Sequence, residues 1–349
     1  MNQIYFRCDS SVKIGSGHII RCLVLANFLK KMGFNTTFIS KEIEGNLFDL
    51  ILNHNHGLIR LSKPKNNKNF WKNDAEEIFN KIKNFNSNKD WMVVDHYYLN
   101  KAWEVKISSK VYKLFIIDDL CDRFHEGNVL LNQNYLPGIE NQYKKILSSK
   151  TKILLGPKYA ILSPEYREAR KFIKINKKNK IHRMIIFFGA SDDQEQTIRC
   201  LSILAKLNLK ELKIDVVVGL ANKKKKSIRE MTNKIDGAVL HVQIPSLCNL
   251  MKKADLYLGS GGTTTWERCC LGLPSIVIST GKNQVRSNEN LYKQGVIEYL
   301  GKTDSVSNEH INKTLLKFIN GYDCTNMSKQ ALEITDGNGV ELASQEFLN

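Results

Sequence analysis

No run of about 18 apolar residues occurs in this 349-residue sequence, which removes a membrane-spanning helix from consideration. Met1 to Ser10 also lacks the charged start and apolar core of a secretory signal. A soluble, cytoplasmic protein without membrane insertion is the expectation. Among the eight cysteines (Cys8, Cys22, Cys121, Cys200, Cys248, Cys269, Cys270 and Cys324) there is no Cys-x-x-Cys pair and no histidine at zinc-finger spacing. A zinc module is excluded on that ground, and the thiols read as reduced core residues. Low-complexity tracts and repeats with a period of about 20 to 50 residues are missing too, and repeat architectures go with them.

Acidic residues are outnumbered, 35 Asp and Glu against 52 Lys and Arg, for a formal net charge of +17. Such an excess raises the question of nucleic acid. The lysines are spread through linkers and helix faces, as in Lys171 to Lys180 and Lys223 to Lys226, without interleaved aromatics or a DNA-binding module. Nucleic-acid binding is therefore not expected. A basic surface would instead steer a small anion such as a nucleotide diphosphate.

At 349 residues the chain exceeds one comfortable core, since single cores stop growing near ~250 residues, and it suits two α/β domains. Short β-rich runs alternate with amphipathic stretches, the pattern of βα units around parallel sheets. In the first half the strands are expected at Ile4 to Arg7, Thr36 to Ile39, Met92 to Val94 and Leu114 to Ile117, with helices from near His18, Asp74 and Lys101. In the second half strands are expected at Met184 to Phe188, Ile214 to Val218, Val239 to Val242, Leu256 to Leu258 and Ser275 to Ile278. Helices there should begin near Gln194, Asn222, Ser246, Thr263 and Asn283. The polar, basic stretch from Ser163 to Lys180 marks the boundary. The expected division is 1–165, 180–335 and a C-terminal helical segment 336–349 that packs back on the first domain. The fold class is α/β and GT-B-like, two Rossmann-like parallel-sheet domains facing a central cleft.

The first strand runs into Gly15-Ser16-Gly17-His18, with Ile20 where a dinucleotide fingerprint would carry its third glycine. His18 falls at the carboxyl end of that strand and on the first turn of the next helix, where open α/β sheets bind ligands. The partial positive charge of a helix start favours the neutral imidazole that a general base needs. Arg7 and Asp9 leave the same strand toward the same crevice, fit either for a local salt bridge or for recognising sugar hydroxyls, amides or phosphate. Asp95-His96-Tyr97 and Asp118-Asp119 end later strands and match a pocket rim, yet they lack the company that a metal site requires. No metal and no cofactor are expected.

The second half holds the stronger motif, Leu256-Tyr257-Leu258-Gly259-Ser260-Gly261-Gly262-Thr263-Thr264-Thr265-Trp266-Glu267. A strand leads through a Gly/Ser/Thr turn into a helix, so that N–H groups and hydroxyls converge on an anion. Glu267, a turn further on, can accept two hydrogen bonds from ribose hydroxyls. Gly189-Ala190-Ser191 forms a second glycine turn, and Gly281-Lys282-Asn283-Gln284 a polar loop opening a helix.

Taken together, Arg7-x-Asp9, Gly15-x-Gly17-His18 and Gly261-Gly262-x3-Trp266-Glu267 through Pro274 to Asn283-Gln284 resemble the UDP-2,4-diacetamido-2,4,6-trideoxy-β-L-altropyranose hydrolases of pseudaminic acid biosynthesis. The resemblance covers most of the chain, including Asp95-His96-Tyr97 and Gly156 to Ala160. It implies a GT-B fold, metal-independent inverting hydrolysis at the anomeric carbon, His18 as the catalytic base and a second domain that holds UDP, with Glu267 on the ribose. The expected sugar contacts are Arg7, Asp9, Gly17, Asp95, Tyr97, Tyr159 and Asn283. The expected UDP contacts are Gly189, Ser191, Gly261, Gly262, Thr263, Thr264, Glu267 and Gln284. The expected partner is a small UDP-sugar and the expected state a monomer. The rivals are a glycosyltransferase of the same fold, for which Phe70-Trp71 is the sole hint of a membrane-facing patch, a non-catalytic UDP-sugar-binding module, and a hydrolase of a related nucleotide-linked diacetamido sugar.

Overall fold

Runs such as Met92 to Val94 and Ile276 to Ile278 are buried on both faces, as parallel strands flanked by helices must be. The computed structural model describes residues 2–63, 70–175, 180–207, 209, 211–220 and 222–348. They fall into two units, Met1–Leu162 with Asn338–Asn349, and Ser163–Gly337.

The first unit carries β1 (Gln3–Cys8), β2 (Asn35–Lys41), β3 (Gly57–Leu61), β4 (Trp91–Asp95), β5 (Lys113–Ile117), β6 (Val129–Asn132) and β7 (Lys152–Leu155). All pair in parallel, in the order β3-β2-β1-β4-β5-β6-β7. Alternation along each strand separates two cores. Ile4, Phe6, Trp91 and Val93 pack with Leu23 and Leu29 of the helix Gly17–Lys31. Met92 and Val94 face the other way, toward Ile78, Trp103 and Ile107. The C-terminal segment joins the first of these cores, with the Phe347 ring 4.6 Å from Trp91 and 5.2 Å from Phe115.

The second unit carries β8 (Arg183–Phe187), β9 (Lys213–Val218), β10 (Ala238–Val242), β11 (Leu256–Ser260), β12 (Ser275–Ser279) and β13 (Glu298–Lys302). They too are parallel, ordered β10-β9-β8-β11-β12-β13. The basic boundary stretch opens with a helix, Pro164–Arg170, started by a proline whose missing N–H costs nothing at that position. Arg170 ties this helix into the second unit through the carbonyls of Cys270, Leu332 and Thr335. Residues 176–179 of that stretch, and residues 64–69, lie outside the described residues.

In both sheets the chain starts in the middle and builds outward first one way and then the other, so each has a point where adjacent strands feed helices on opposite faces. These points fall between β1 and β4 and between β8 and β11. Open α/β sheets bind ligands at the carboxyl ends of such strand pairs. No helix among the described residues is long and apolar enough to cross a membrane.

Candidate active site

At the first of these points Cys8 of β1 lies opposite Asp95 of β4, and the helix Gly17–Lys31 brings His18 over them. His18 Nδ1 stands 2.5 Å from Asp95 Oδ1. One turn along the same helix face, Arg21 grips Asp95 with Nε and Nη2, both at 2.6 Å. Its Nη1 and Nη2 also reach Asp119 at 3.0 and 2.9 Å. Burial opposes charge on Asp95, but Arg21 and then His18 outweigh it and hold the carboxyl far below its ordinary range. An ionised Asp95 accepts from Nδ1–H, which in the neutral ring leaves the Nε2 lone pair for chemistry. No hydrogen bond to Nε2 is found among the described residues. Tyr97 packs edge-on against the imidazole at 4.6 Å, and its hydroxyl donates to Asp119 at 3.0 Å.

This geometry changes the expected role of Asp95. At 1% exposure, with its oxygens taken by His18 and Arg21, it orients the histidine and has no face left for a sugar. Arg7 and Asp9 are likewise corrected, being 0% and 2% exposed. Arg7 makes paired bonds to Asp9 at 2.7 and 3.0 Å and to Asp74 at 3.1 and 2.7 Å. Lys41 joins through Asp74, and His96 through Asp9 at 3.1 Å. Burial works against the charge of Arg7, yet Asp74 and Asp9 more than restore it. The pair is thus a buried brace beneath the strand ends, the local alternative among the two readings of its spacing. Gly17 is the first helical residue beside His18. Tyr159 instead packs half-buried against the core of the first sheet, with Lys158 over its ring, and makes no hydrogen bond to His18, Arg21, Asp95 or Asp119 among the described residues. Phe70 and Trp71 are half-buried against the core as well, with Lys41 over the Phe70 ring, so they form no bare apolar patch.

In the second unit both glycine turns leave the switch point. Gly189, two residues past β8, has φ +103°, a conformation that costs other residues dearly, and open space where a Cβ would stand. Asp192 ends this turn and accepts from the N–H groups of Gln196 and Thr197 at 3.0 and 2.8 Å. Ser191 lies between the two. Gly261 follows β11, and a Cβ there would run into the buried Asn288 side-chain amide, which would have to move aside. Gly262, Thr263 and Thr264 lead into the helix Thr264–Cys270. Gln284 comes to 3.7 Å of the Cβ position of Gly262 and binds Thr280. Asn283 is exposed at the start of the helix Lys282–Lys293.

Glu267 is the telling group here. Its Oε2 is buried without a hydrogen-bond partner among the described residues. Burial pushes the carboxyl up to about 7, against the pull of a hydrogen bond from Tyr166. A buried acceptor left open is costly unless something fills it. Among the described residues no group of three or more His, Cys, Asp or Glu could hold a metal ion. Sequence reasoning passed over Arg21, Tyr166 and Asn288. Arg21 could have been found from its i+3 spacing to His18, whereas Tyr166 is 101 residues from Glu267 and carries no motif.

Two Rossmann-like parallel-sheet units in one chain define the GT-B class of fold, and solved structures of that class match along the whole chain. MurG of Acinetobacter baumannii has a TM-score of 0.67 at 13% identity, covering 100% of this chain and 99% of that one. A UDP-GlcNAc 2-epimerase of Neisseria meningitidis, bound to UDP-GlcNAc, has a TM-score of 0.60 at 13% identity, covering 99% of each chain. At such identities the likeness is one of fold alone.

No family model matches the chain. Individual relatives do. The chain is 22% identical over 339 residues to the spore coat polysaccharide biosynthesis protein SpsG of Bacillus subtilis, covering 95% of this chain and 94% of that one. It is 25% identical over 302 residues to the UDP-2,4-diacetamido-2,4,6-trideoxy-β-L-altropyranose hydrolase of Campylobacter jejuni, covering 85% and 99%. An uncharacterized protein of Methanocaldococcus jannaschii is 26% identical over 311 residues, 87% of this chain but 59% of that longer one. The resemblance carried by the motifs therefore extends over most of the chain.

Proposed function

We propose that the chain hydrolyses a UDP-linked 2,4-diacetamido-2,4,6-trideoxy sugar to the free sugar and UDP, as a step toward pseudaminic acid. The observation that carries the chemistry is the His18–Asp95 pair at 2.5 Å at the switch point of the first sheet. His18 Nε2 takes a proton from water as the water oxygen bonds to the anomeric carbon from the face opposite the nucleotide, so the C–O bond to the diphosphate breaks with inversion. Asp95 stabilises the imidazolium that forms, and Arg21 and Asp119 keep Asp95 in place. A positioned base of this kind contributes roughly 10²–10⁴ in rate. The Gly261–Thr264 and Gly189–Ser191 turns receive the departing diphosphate through N–H groups and hydroxyls. Glu267, with its open Oε2, accepts from the ribose. A diphosphate leaves without the protonation that ordinary glycosides need, which is why one base suffices where glycosidases use two carboxyl groups. No metal takes part in this scheme.

Support for the substrate comes from the Campylobacter jejuni relative, and the fold is shared with enzymes such as MurG, so transfer to a sugar or lipid acceptor is the competing reading. Purified protein incubated with a panel of UDP- and GDP-linked diacetamido sugars, in labelled water and without acceptor, separates the two. Release of UDP with label in the sugar is expected. Label in UDP would mean attack at phosphorus, and no release from any member would remove the hydrolase reading.

A further inference from the structure

Arg268 sits one turn into the helix Thr264–Cys270 and is 1% exposed. Its Nε donates to the Thr264 carbonyl at 3.3 Å and its Nη2 to Thr265 Oγ1 at 2.8 Å. The guanidinium carbon lies 4.3 Å from the centre of the Tyr257 ring. Its Nη1 is buried with no hydrogen-bond partner, and no carboxylate forms an ion pair with it, among the described residues. Leaving a buried cation uncompensated is unfavourable, and the first unit avoids it, since Arg7 and Arg21 are each held by two carboxylates. Burial accordingly weakens the hold of Arg268 on its proton, and only Tyr257, Cys269 and Glu267 act against that.

The surroundings say where the missing charge belongs. Tyr257, on which the guanidinium rests, donates its hydroxyl to the Phe187 carbonyl at 2.7 Å and lies 3.4 Å from both the Ser260 carbonyl and Thr264 Oγ1. Arg268 is thus packed under the ends of β8 and β11, where both glycine turns begin. We propose that Arg268 is a buried positioning residue for the nucleotide, a fixed positive charge beneath the Gly261–Thr264 turn whose counter-charge is the bound diphosphate. This rests on the UDP reading above and adds to it the group that tells a diphosphate from a bare nucleoside. The guanidinium touches no ligand; its field acts through the first turn of the helix, where water is excluded and charges are poorly screened.

Calorimetry on the full chain with UDP, inorganic pyrophosphate and uridine tests this, using Arg268→Met and Arg268→Lys. Arg268→Met is expected to weaken UDP and pyrophosphate by about tenfold while uridine binds as before, and its ligand-free melting temperature should not fall. Arg268→Lys, which keeps the charge, should retain most of the preference for UDP over uridine. Equal loss for UDP and uridine, no loss for either, or an Arg268→Met chain that fails to fold would overturn the inference and leave the UDP reading standing. A wild-type chain that binds neither UDP nor uridine would overturn the UDP reading, and this inference with it.

Discussion

Two residues on one helix, three apart, do different work on the same carboxylate. His18 uses Asp95 to fix its tautomer, and Arg21 uses Asp95 and Asp119 to bury a charge. Substitutions should therefore separate them. His18→Asn removes the proposed base but keeps the Arg21–Asp95 pair, so turnover should fall by roughly 10²–10⁴ with UDP affinity and melting temperature nearly unchanged. Asp95→Asn should lose turnover to a similar degree, because the amide can no longer accept from Nδ1–H with the same strength and permits the wrong tautomer. It should also destabilise the fold, by on the order of 3 kcal/mol, since Arg21 keeps only one of its two buried partners. Steady-state kinetics with thermal melts on both variants decide; an Asp95→Asn protein as active as wild type would break the assigned dyad, and an unaltered melt would show that Asp119 alone suffices for Arg21.

At the scale of elements, two carboxyl groups set expectations for pH. Glu267 on the helix Thr264–Cys270 is pushed up to about 7 by burial, so a ribose that donates to its ionised form should bind better as pH rises from about 6 to about 8. Uridine carries no phosphate to confuse the titration; its affinity should climb across that window in the wild type and stay level in Glu267→Gln. A level wild-type profile would take Glu267 off the ribose. In the first unit, His125 is clamped between Glu104 of the helix Lys101–Ser108, at 2.7 Å, and Asp118 at the end of β5, at 3.8 Å. Burial disfavours its charge, but Asp118 and Glu104 overcome that and raise it from 6.5 to about 9. A raised folded value means stability that is complete below pH 6.5 and drains away as pH climbs toward 9. Denaturant melts should show that decline and His125→Gln should flatten it; an identical slope in both proteins would mean the charge is not what the clamp holds. The same elements explain what could be read beforehand. β1, β2, β4, β5 and β8 to β12 are short apolar runs with helices between them, and each was expected within a residue or two on at least one side. β3, β7 and β13 escaped because a charged or small residue breaks or bounds each short apolar run, Gly57 and Arg60 in Gly-Leu-Ile-Arg-Leu for instance. Half-exposure at a sheet edge is not the reason, since β10 is an edge strand too and was expected. β6, only Val129–Asn132, is too short to show a period. His18 was legible because a strand, a glycine turn and a helix announce it within 15 residues of β1. Its pairing with Asp95, 77 residues away, depends on β4 lying next to β1, and periodicity carries no information about strand order.

For the molecule as a whole, the formal charge of +17 is the property that composition reported and that no single residue explains. Much of the basic excess lies on exposed lysines with at most one surface partner, such as Lys171 with Glu168 and Lys180 with Glu211, and pairs of that kind add little to stability. Their collective effect is long-ranged instead. A positive field would draw in the proposed substrate, which carries a diphosphate, raising the rate of encounter without altering the chemical step. The Debye length shrinks from about 10 Å at 0.1 M salt to about 3 Å at 1 M, so the field reaches less and less far beyond the surface as salt rises. We expect kcat/KM to fall several-fold between about 0.05 and 0.5 M of an inert salt, while kcat at saturating substrate holds steady. The assignment of Arg268 requires a second component that salt leaves alone, because that charge is buried where counter-ions do not enter. UDP should therefore retain an advantage over uridine at 0.5 M, roughly the part that Arg268→Met removes. Should the advantage vanish with salt in the wild type, the diphosphate would be held by surface lysines and not by the turn above Arg268.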